Sequence, residues 1–171
     1  MAKASVAEKK RRSKVKILPW QKWDVVLHNR RMLNSYYSLV GSRLVDVNDS
    51  PEILAKLLYE APFVVVSHGI EDDPIFKYGN QRALELFEMD WEEFTKLPSR
   101  KSAEPIDQIK RDRLLKEVNK NGFITNYKGV RITKSGRRFL IEQAVVWNVL
   151  DENGKYCGQA ATFSNWKFLS K

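Results

Sequence analysis

Two glutamines stand out as groups that could hold a small molecule. Gln143 and Gln159 each lie in a β-rich, apolar stretch. An amide donates and accepts at once, so it can orient a ligand in a pocket or, equally, pair with buried backbone. Arg131, Arg137, Arg138 and Glu142 fall on two segments that read as adjacent strands. Arginine grips carboxylates and other anions through a bidentate fork. Arg131 and Arg138 are therefore candidate anion ligands. A ladder of cross-strand ion pairs accounts for them as well, and for Arg137 better. Trp147 and Trp166 read as core aromatics. Trp147 shares a predicted strand face with Gln143, where it would wall a pocket.

Catalytic and metal chemistry find less support. The sequence has no Gly-rich phosphate loop, no Gly-x-Ser-x-Gly elbow and no His-Glu-x-x-His. Ser67 and His68 are consecutive in a predicted strand and so point to opposite faces, which stops them pairing with each other as nucleophile and base. The two histidines, His28 and His68, have no second metal-type ligand at a helpful spacing. Cys157, the one cysteine, falls in the last hairpin and reads as a small buried hydrophobe. A single cysteine allows no intramolecular disulfide, which fits a reducing compartment.

Length and charge bound the rest. A chain of 171 residues argues one domain, and no apolar run is long enough to span a bilayer. The net charge of +9 hints at an acidic partner such as nucleic acid. Residues 1–16 hold seven lysines and arginines against Glu8 alone, so +6 of the +9 sits there. That segment is expected to be a disordered basic tail. The body is near neutral, which argues against nucleic-acid binding by the folded part. A cytoplasmic location is expected, with nuclear import through Lys9-Lys10-Arg11-Arg12 as the alternative.

The elements that must position these groups follow from apolar spacing and punctuation. Residues 20–44 read as a long helix with Val26, Leu33, Tyr37, Val40 and Leu44 on its stripe. It would lie as a lid on a sheet face or pair with a second copy. Ser50-Pro51 starts a short helix, as cap and first position. Residues 63–66 and 75–78 read as a hairpin. Three helices follow: 80–87; 90–96, opened by an Asp90/Glu93 capping box; and 106–119, with Ile106, Ile109, Leu114 and Val118 inward. Residues 123–133, 137–150 and 156–166 read as three strands joined by Gly-containing turns. The sum is an α+β domain, a five-stranded antiparallel sheet with helices on one face and an N-terminal helical extension.

The run from Tyr78 to Phe87 after the second strand looks like a PAS domain. More specific segments resemble the PAS-related MEKHLA domain. These are Asp73-Pro74-Ile75-Phe76-Lys77-Tyr78-Gly79-Asn80, the run from Leu97 to Glu104, Gly129-Val130-Arg131-Ile132, Ser135-Gly136-Arg137-Arg138-Phe139, and Gly158-Gln159-Ala160-Ala161-Thr162-Phe163 with Trp166. That family occurs as stand-alone proteins and at the C-terminus of plant homeodomain–leucine-zipper transcription factors. The resemblance covers roughly residues 20–168. It implies a PAS-like sensory, ligand-binding or protein-interaction domain over 49–171, preceded by a helix over 17–48, and no established reaction. The homeodomain and zipper are absent from this sequence, so DNA binding does not carry over.

The family-like segments add Tyr78, Asn80 and Arg100 to Arg131, Gln143, Trp147 and Gln159 as expected ligand-binding residues. Asn80 serves equally as a helix cap, and Arg100 as a lock on its connector. The expected ligand is small and apolar or amphipathic, and the signal would pass to a protein partner or a second copy. No cofactor is assigned. Flavin photochemistry by cysteine adduct needs a cysteine in the 97–105 region, which has none, although non-covalent flavin stays open. A haem PAS domain usually offers a histidine from the helical side, whereas His28 lies in the N-terminal helix and His68 closes the first strand. A ligand-free dimerisation module and a small enzyme acting on an apolar acid are the alternatives.

Overall fold

The computed structural model describes residues 15–171. The expected basic tail falls almost wholly outside the described residues. Helix α1 (Trp23–Val40) follows a 3-10 turn at Pro19–Gln21 and stops at Gly41, whose backbone is left-handed. Helix α2 (Pro51–Tyr59) starts as expected, with Ser50 Oγ accepting from Ile53 N and proline in the first turn. Strands β1 (Val64–His68) and β2 (Phe76–Gly79) form a hairpin. Helices α3 (Gln81–Phe87), α4 (Trp91–Phe94) and α5 (Pro105–Asn121) follow, α4 with the complete Asp90/Glu93 capping box. The chain ends in β3 (Phe123–Ile132), β4 (Arg138–Leu150), β5 (Tyr156–Phe163) and β6 (Asn165–Phe168). Among the described residues no helix is long and apolar enough to cross a membrane.

The strands form one antiparallel sheet in the order β2-β1-β5-β4-β3. The last expected strand breaks at Ser164, so β6 is a sixth strand that pairs with the start of β4 while β5 pairs with its end. Helices α3, α4 and α5 cover the inner face, as expected. Both α1 and α2 cover the outer face, so the N-terminal helix is a lid with a companion. The inner core is built from Phe76, Phe87, Phe94 and Phe139, with Phe76 and Phe94 stacked at 4.3 Å. The outer core holds Met32, Tyr36, Leu58, Val65, Tyr78, Trp147 and Val149.

Two local irregularities decide which residues face which core. Gln143 adopts φ 54°, the left-handed region. Before it Phe139 and Ile141 face inward; after it Ala144 and Val146 do, while Val145, Trp147 and Val149 turn outward. Strict alternation had put Val145 and Trp147 with Phe139, and the bulge reverses them. A register shift between Ser67 and His68 acts likewise on the hairpin, setting Phe76 inside and Tyr78 outside.

The stripe of α1 also differs from its expected one. Val25, Val26, Asn29, Met32, Ser35 and Tyr36 are buried, and Tyr37 is 53% exposed. The sheet below presents polar partners to two of the polar residues on this face, Ser35 and His28, whereas the buried Asn29 amide has none. Ser35 Oγ accepts from Leu150 N at 2.8 Å, Trp147 Nε1 donates to the Met32 carbonyl at 3.1 Å, and His28 Nε2 bonds Ser67 Oγ at 2.6 Å. The Arg31 guanidinium forks onto Glu152 in the β4–β5 turn, at 3.0 and 2.8 Å.

One side chain ties the two faces together. Asn80 is fully buried and uses its whole hydrogen-bonding capacity. Its Oδ1 accepts from Val65 N and Ala83 N at 3.0 and 3.1 Å, and its Nδ2 donates to the carbonyls of Leu58 and Phe63 at 3.1 and 2.8 Å. Four elements or their ends are thereby held by one amide.

Asn80→Ala should cost about 3–5 kcal/mol in chemical denaturation, because four buried backbone groups lose their partner. Asn80→Asp should be at least as damaging, since a carboxylate would face two carbonyls. A loss below about 1 kcal/mol would show that these bonds are readily replaced.

A pH dependence follows from the docking of α1. Burial, then Arg31 and Lys77, pull His28 from 6.5 down to about 4, with Asp24 opposing. The unfolded chain binds that proton first, so stability is full above pH 6.5 and falls as pH drops toward 4, by about 1–3 kcal/mol. Urea titrations at pH 7.5, 5.5 and 4.5 should show a flatter profile in His28→Gln, with part of the slope kept by His68, which burial lowers in the same direction. Parallel profiles would disprove the role of His28.

Candidate functional site

On the inner face α3 and α4 cover β1 and β2, and α5 covers β3 and β4. Between these two roofs the sheet is left partly uncovered, and a cavity of about 70 Å³ remains. Its wall is mostly apolar: Val66, Phe76, Leu114, Ile141, Ala144, Val146, Ala161 and Phe163. Onto this wall project Arg111 from α5, Arg131 and Tyr127 from β3, His68 from β1, Gln159 from β5, and Ser99 and Ser102 from the 3-10 turn before α5. Among the described residues no acidic side chain lines it.

His68 and Gln159 stand directly opposite each other on β1 and β5. Their strands close tightly because Gly158 lacks a side chain: a Cβ there would lie 2.2 Å from the His68 carbonyl oxygen, and its φ is 149°. His68 Nδ1 lies 2.9 Å from the Gly69 carbonyl, which can only accept. The ring proton therefore belongs on Nδ1, and Nε2 is left as a bare acceptor. Burial, opposed by the Gly69 carbonyl and the neighbouring Gln159 side chain and aided by the charge of Arg111, lowers the His68 pKa, so the ring is neutral at pH 7. Gln159 Nε2 donates to the Leu115 carbonyl at 2.9 Å and to Asn148 Oδ1 at 3.2 Å, which orients the amide with Oε1 away from them. His68 Nε2 and Gln159 Oε1 are both buried without a hydrogen-bond partner.

The two arginines bring positive charge to the same cavity. Arg111 is only 6% exposed. It donates to Ser99 Oγ and to Asp112 Oδ1, the latter at 3.1 Å on an exposed carboxylate. Burial, then the like charge of Arg131, pull its pKa down to about 10, which leaves it protonated at pH 7. Arg131 donates to the Val130 carbonyl at 2.8 Å and to Tyr127 Oη at 3.2 Å. Gly129 makes room for that pairing: a Cβ there would lie 2.2 Å from Tyr127 Oη and 3.1 Å from Arg131 Nη1.

Of the seven residues expected to bind a ligand, Arg131 and Gln159 line this cavity. The other five stand elsewhere. Gln143 is exposed at its left-handed bend and accepts from Asn165 Nδ2 at 2.7 Å, because the bulge takes it out of the alternation that had placed it in a pocket. Trp147 is turned outward by the same bulge and is buried under α1. Tyr78 is in the outer core, its hydroxyl buried without a hydrogen-bond partner. Asn80 caps α3 and clamps the strands. Arg100 is half-exposed and paired with Asp73 at 3.1 Å, which locks its connector, and Glu104 pairs with Arg138 at 2.8 Å. Arg138 thus has an ion-pair partner outside the cavity.

Five polar residues of the cavity, His68, Ser99, Ser102, Arg111 and Tyr127, are not among those expected to bind a ligand. Arg111 sits on α5 with Leu114 and Val118 at the spacing of one buried face, whereas Ile106 and Ile109 are 75% and 69% exposed. A search for apolar spacing passes over an arginine. In the sequence His68 is a histidine without a second metal-type ligand, and its orphaned nitrogen becomes visible only with Gln159 opposite.

Ser67 does find a basic partner, His28 across the outer face, at a distance suited to a nucleophile and its base. Its hydroxyl is held beneath α1 and the residue is buried. The pair fastens the helix to the sheet. Cys157 bonds the Val149 carbonyl and packs against the outer core, so the cavity wall carries no thiol.

Comparison with known proteins places these features. The MEKHLA domain matches residues 26–168, a span that includes nearly all of α1. Homeobox-leucine zipper protein HOX9 of Oryza sativa subsp. indica is 28% identical over 144 residues, covering 82% of this chain and 17% of that protein. Homeobox-leucine zipper protein REVOLUTA of Arabidopsis thaliana is 26% identical over 145 residues, covering 79% and 17%. The chain thus spans 17% of the length of these curated relatives. Among solved structures, the PAS domain of a protein from Colwellia psychrerythraea aligns with a TM-score of 0.60 at 16% identity, over 71% of this chain and 98% of that one. An RNA-binding light-oxygen-voltage receptor aligns at 0.56 and 15% identity, over 70% and 36%. The blue-light photoreceptor Vivid aligns at 0.54 and 15% identity, over 77% and 93%. At these identities the structures establish a shared PAS-like fold.

Proposed function

The chain belongs to the MEKHLA domain family, and on that premise we propose that it is a PAS-like sensory domain that takes a small molecule into the cavity between the sheet and α5. The observation that carries this reading is the pair of orphaned acceptors, His68 Nε2 and Gln159 Oε1, facing each other in a mostly apolar wall. A buried acceptor without a donor costs roughly 1–3 kcal/mol, and a bound molecule that supplies the donor recovers it.

The same strand carries a route outward. His68 faces the cavity and its neighbour Ser67 holds His28 of α1 on the other side of the sheet. A ligand that shifts β1 by binding His68 therefore changes the seat of α1. Differential affinity for the two seats is what would turn occupancy into a signal. Trp23 and Tyr37 on α1, with Ile53 and Leu57 on α2, offer exposed apolar surface where a protein partner or second copy could read it.

The test is to fill the cavity. Ala161→Leu adds three carbons at its wall, and Gln159→Leu removes the orphaned acceptor. Native mass spectrometry of the purified parent should show a co-purified small molecule, or a small-molecule thermal-shift screen should find a stabilising compound. Both variants should reduce binding at least tenfold, the loss of about 1.4 kcal/mol, with the fold retained by circular dichroism. Equal binding by parent and Ala161→Leu would place the ligand elsewhere. If nothing binds the parent, the ligand-free interaction module takes the lead.

A further inference from the structure

The groups around the cavity are not arranged at random with respect to charge and hydrogen-bond sense. The cavity lining holds two guanidiniums, Arg111 and Arg131, close enough that Arg131 disfavours the charge on Arg111. Arg111 has its one carboxylate partner on the exposed side, and Asp107 Oδ2, one helical turn earlier, is buried without a hydrogen-bond partner. The same lining holds two bare acceptors, each from a residue more than nine-tenths buried. A complementary molecule carries both a negative charge and a hydrogen-bond donor. The volume of about 70 Å³ sets its size. At ~10–15 Å³ per water-sized group, there is room for about five to seven non-hydrogen atoms.

We propose that the ligand is a short hydroxycarboxylate, with its carboxylate on Arg111 and Arg131 and its hydroxyl donated to His68 Nε2 or Gln159 Oε1. The proposal rests on the cavity being a ligand site and adds the chemical class. An anion between the guanidiniums offsets a like-charge contact inside a low-dielectric wall, where electrostatic attraction is stronger than in water. The apolar residues Leu114, Val146 and Phe163 accommodate a short carbon chain and leave nothing to pair a second charge. Two guanidiniums and two acceptors in so small a space leave little tolerance for an apolar compound.

The experiment compares glycolate and lactate with two controls by isothermal titration and thermal shift on the full chain. Propionate keeps the charge and lacks the hydroxyl; lactamide keeps the hydroxyl and lacks the charge. Glycolate or lactate should bind at least about tenfold more tightly than either control. Arg131→Met should weaken that binding at least about tenfold, since a buried charged partner is lost. Arg111→Met should do the same, and if it fails to fold, Arg131→Met with the ligand series still decides. Lactamide binding as tightly as lactate overturns the anion assignment. Propionate binding as tightly as lactate overturns the hydroxyl assignment. If a neutral co-purified molecule occupies the cavity and Ala161→Leu expels it, the sensory reading stands and the anion proposal falls. If no compound of either charge state binds the parent, both fall together.

Discussion

The four hydrogen bonds of Asn80 are the constraint on which the arrangement depends. They join the end of α2, the turn into β1, β1 itself and the start of α3. The α2 end belongs to the outer layer and α3 to the inner one. An apolar side chain at this point could pack but could not satisfy two donors and two acceptors that the chain reversal leaves inside the protein. With Asn80 in place, β1 is held at a fixed height between the two layers. That height then decides where His68 and Ser67 emerge on the two faces.

Strand β1 is therefore the shared wall of two environments with different physics. The inner one is aromatic over α3 and α4 and turns polar toward α5, where a buried arginine replaces the apolar residue that helical spacing would place there. The outer one is apolar but stitched by side-chain bonds from α1: His28 to Ser67, Ser35 to the Leu150 backbone, and the Met32 carbonyl to Trp147. Such bonds are directional, so α1 can sit on the sheet in one register. They also make the docking sensitive to protonation, because burial, aided by Arg31 and Lys77, holds the imidazole of His28 neutral.

Much of this fold is legible in the residues taken in order. The caps at Ser50 and Asp90, the proline at Pro51, the stop at Gly122 and the Gly-containing turns are local devices, and each acts where its residue type indicates. The expected site fared differently. Gln143 and Trp147 were placed by counting alternate residues along one strand, and counting fails wherever one residue leaves the pleat. At Gln143 the backbone takes φ 54° and every later side chain changes face. Nothing in the residue type announces this, since glutamine carries a penalty for left-handed backbone that only the surrounding sheet and the bond from Asn165 offset.

The sequence by itself determined the α+β class, the order of elements, the concentration of charge at the N-terminus and the candidacy of Arg131 and Gln159, because these rest on interactions among residues a few positions apart. The tertiary structure decided which face each strand residue serves, that α1 and α2 close the outer face together, and that Arg111 and His68 meet Arg131 and Gln159 in one cavity. Those outcomes depend on bulges and on cross-strand register. They also depend on the burial of polar groups whose partners lie 11 to 115 residues away. Local preference is silent about such partners, and only the closed fold brings them within hydrogen-bonding distance.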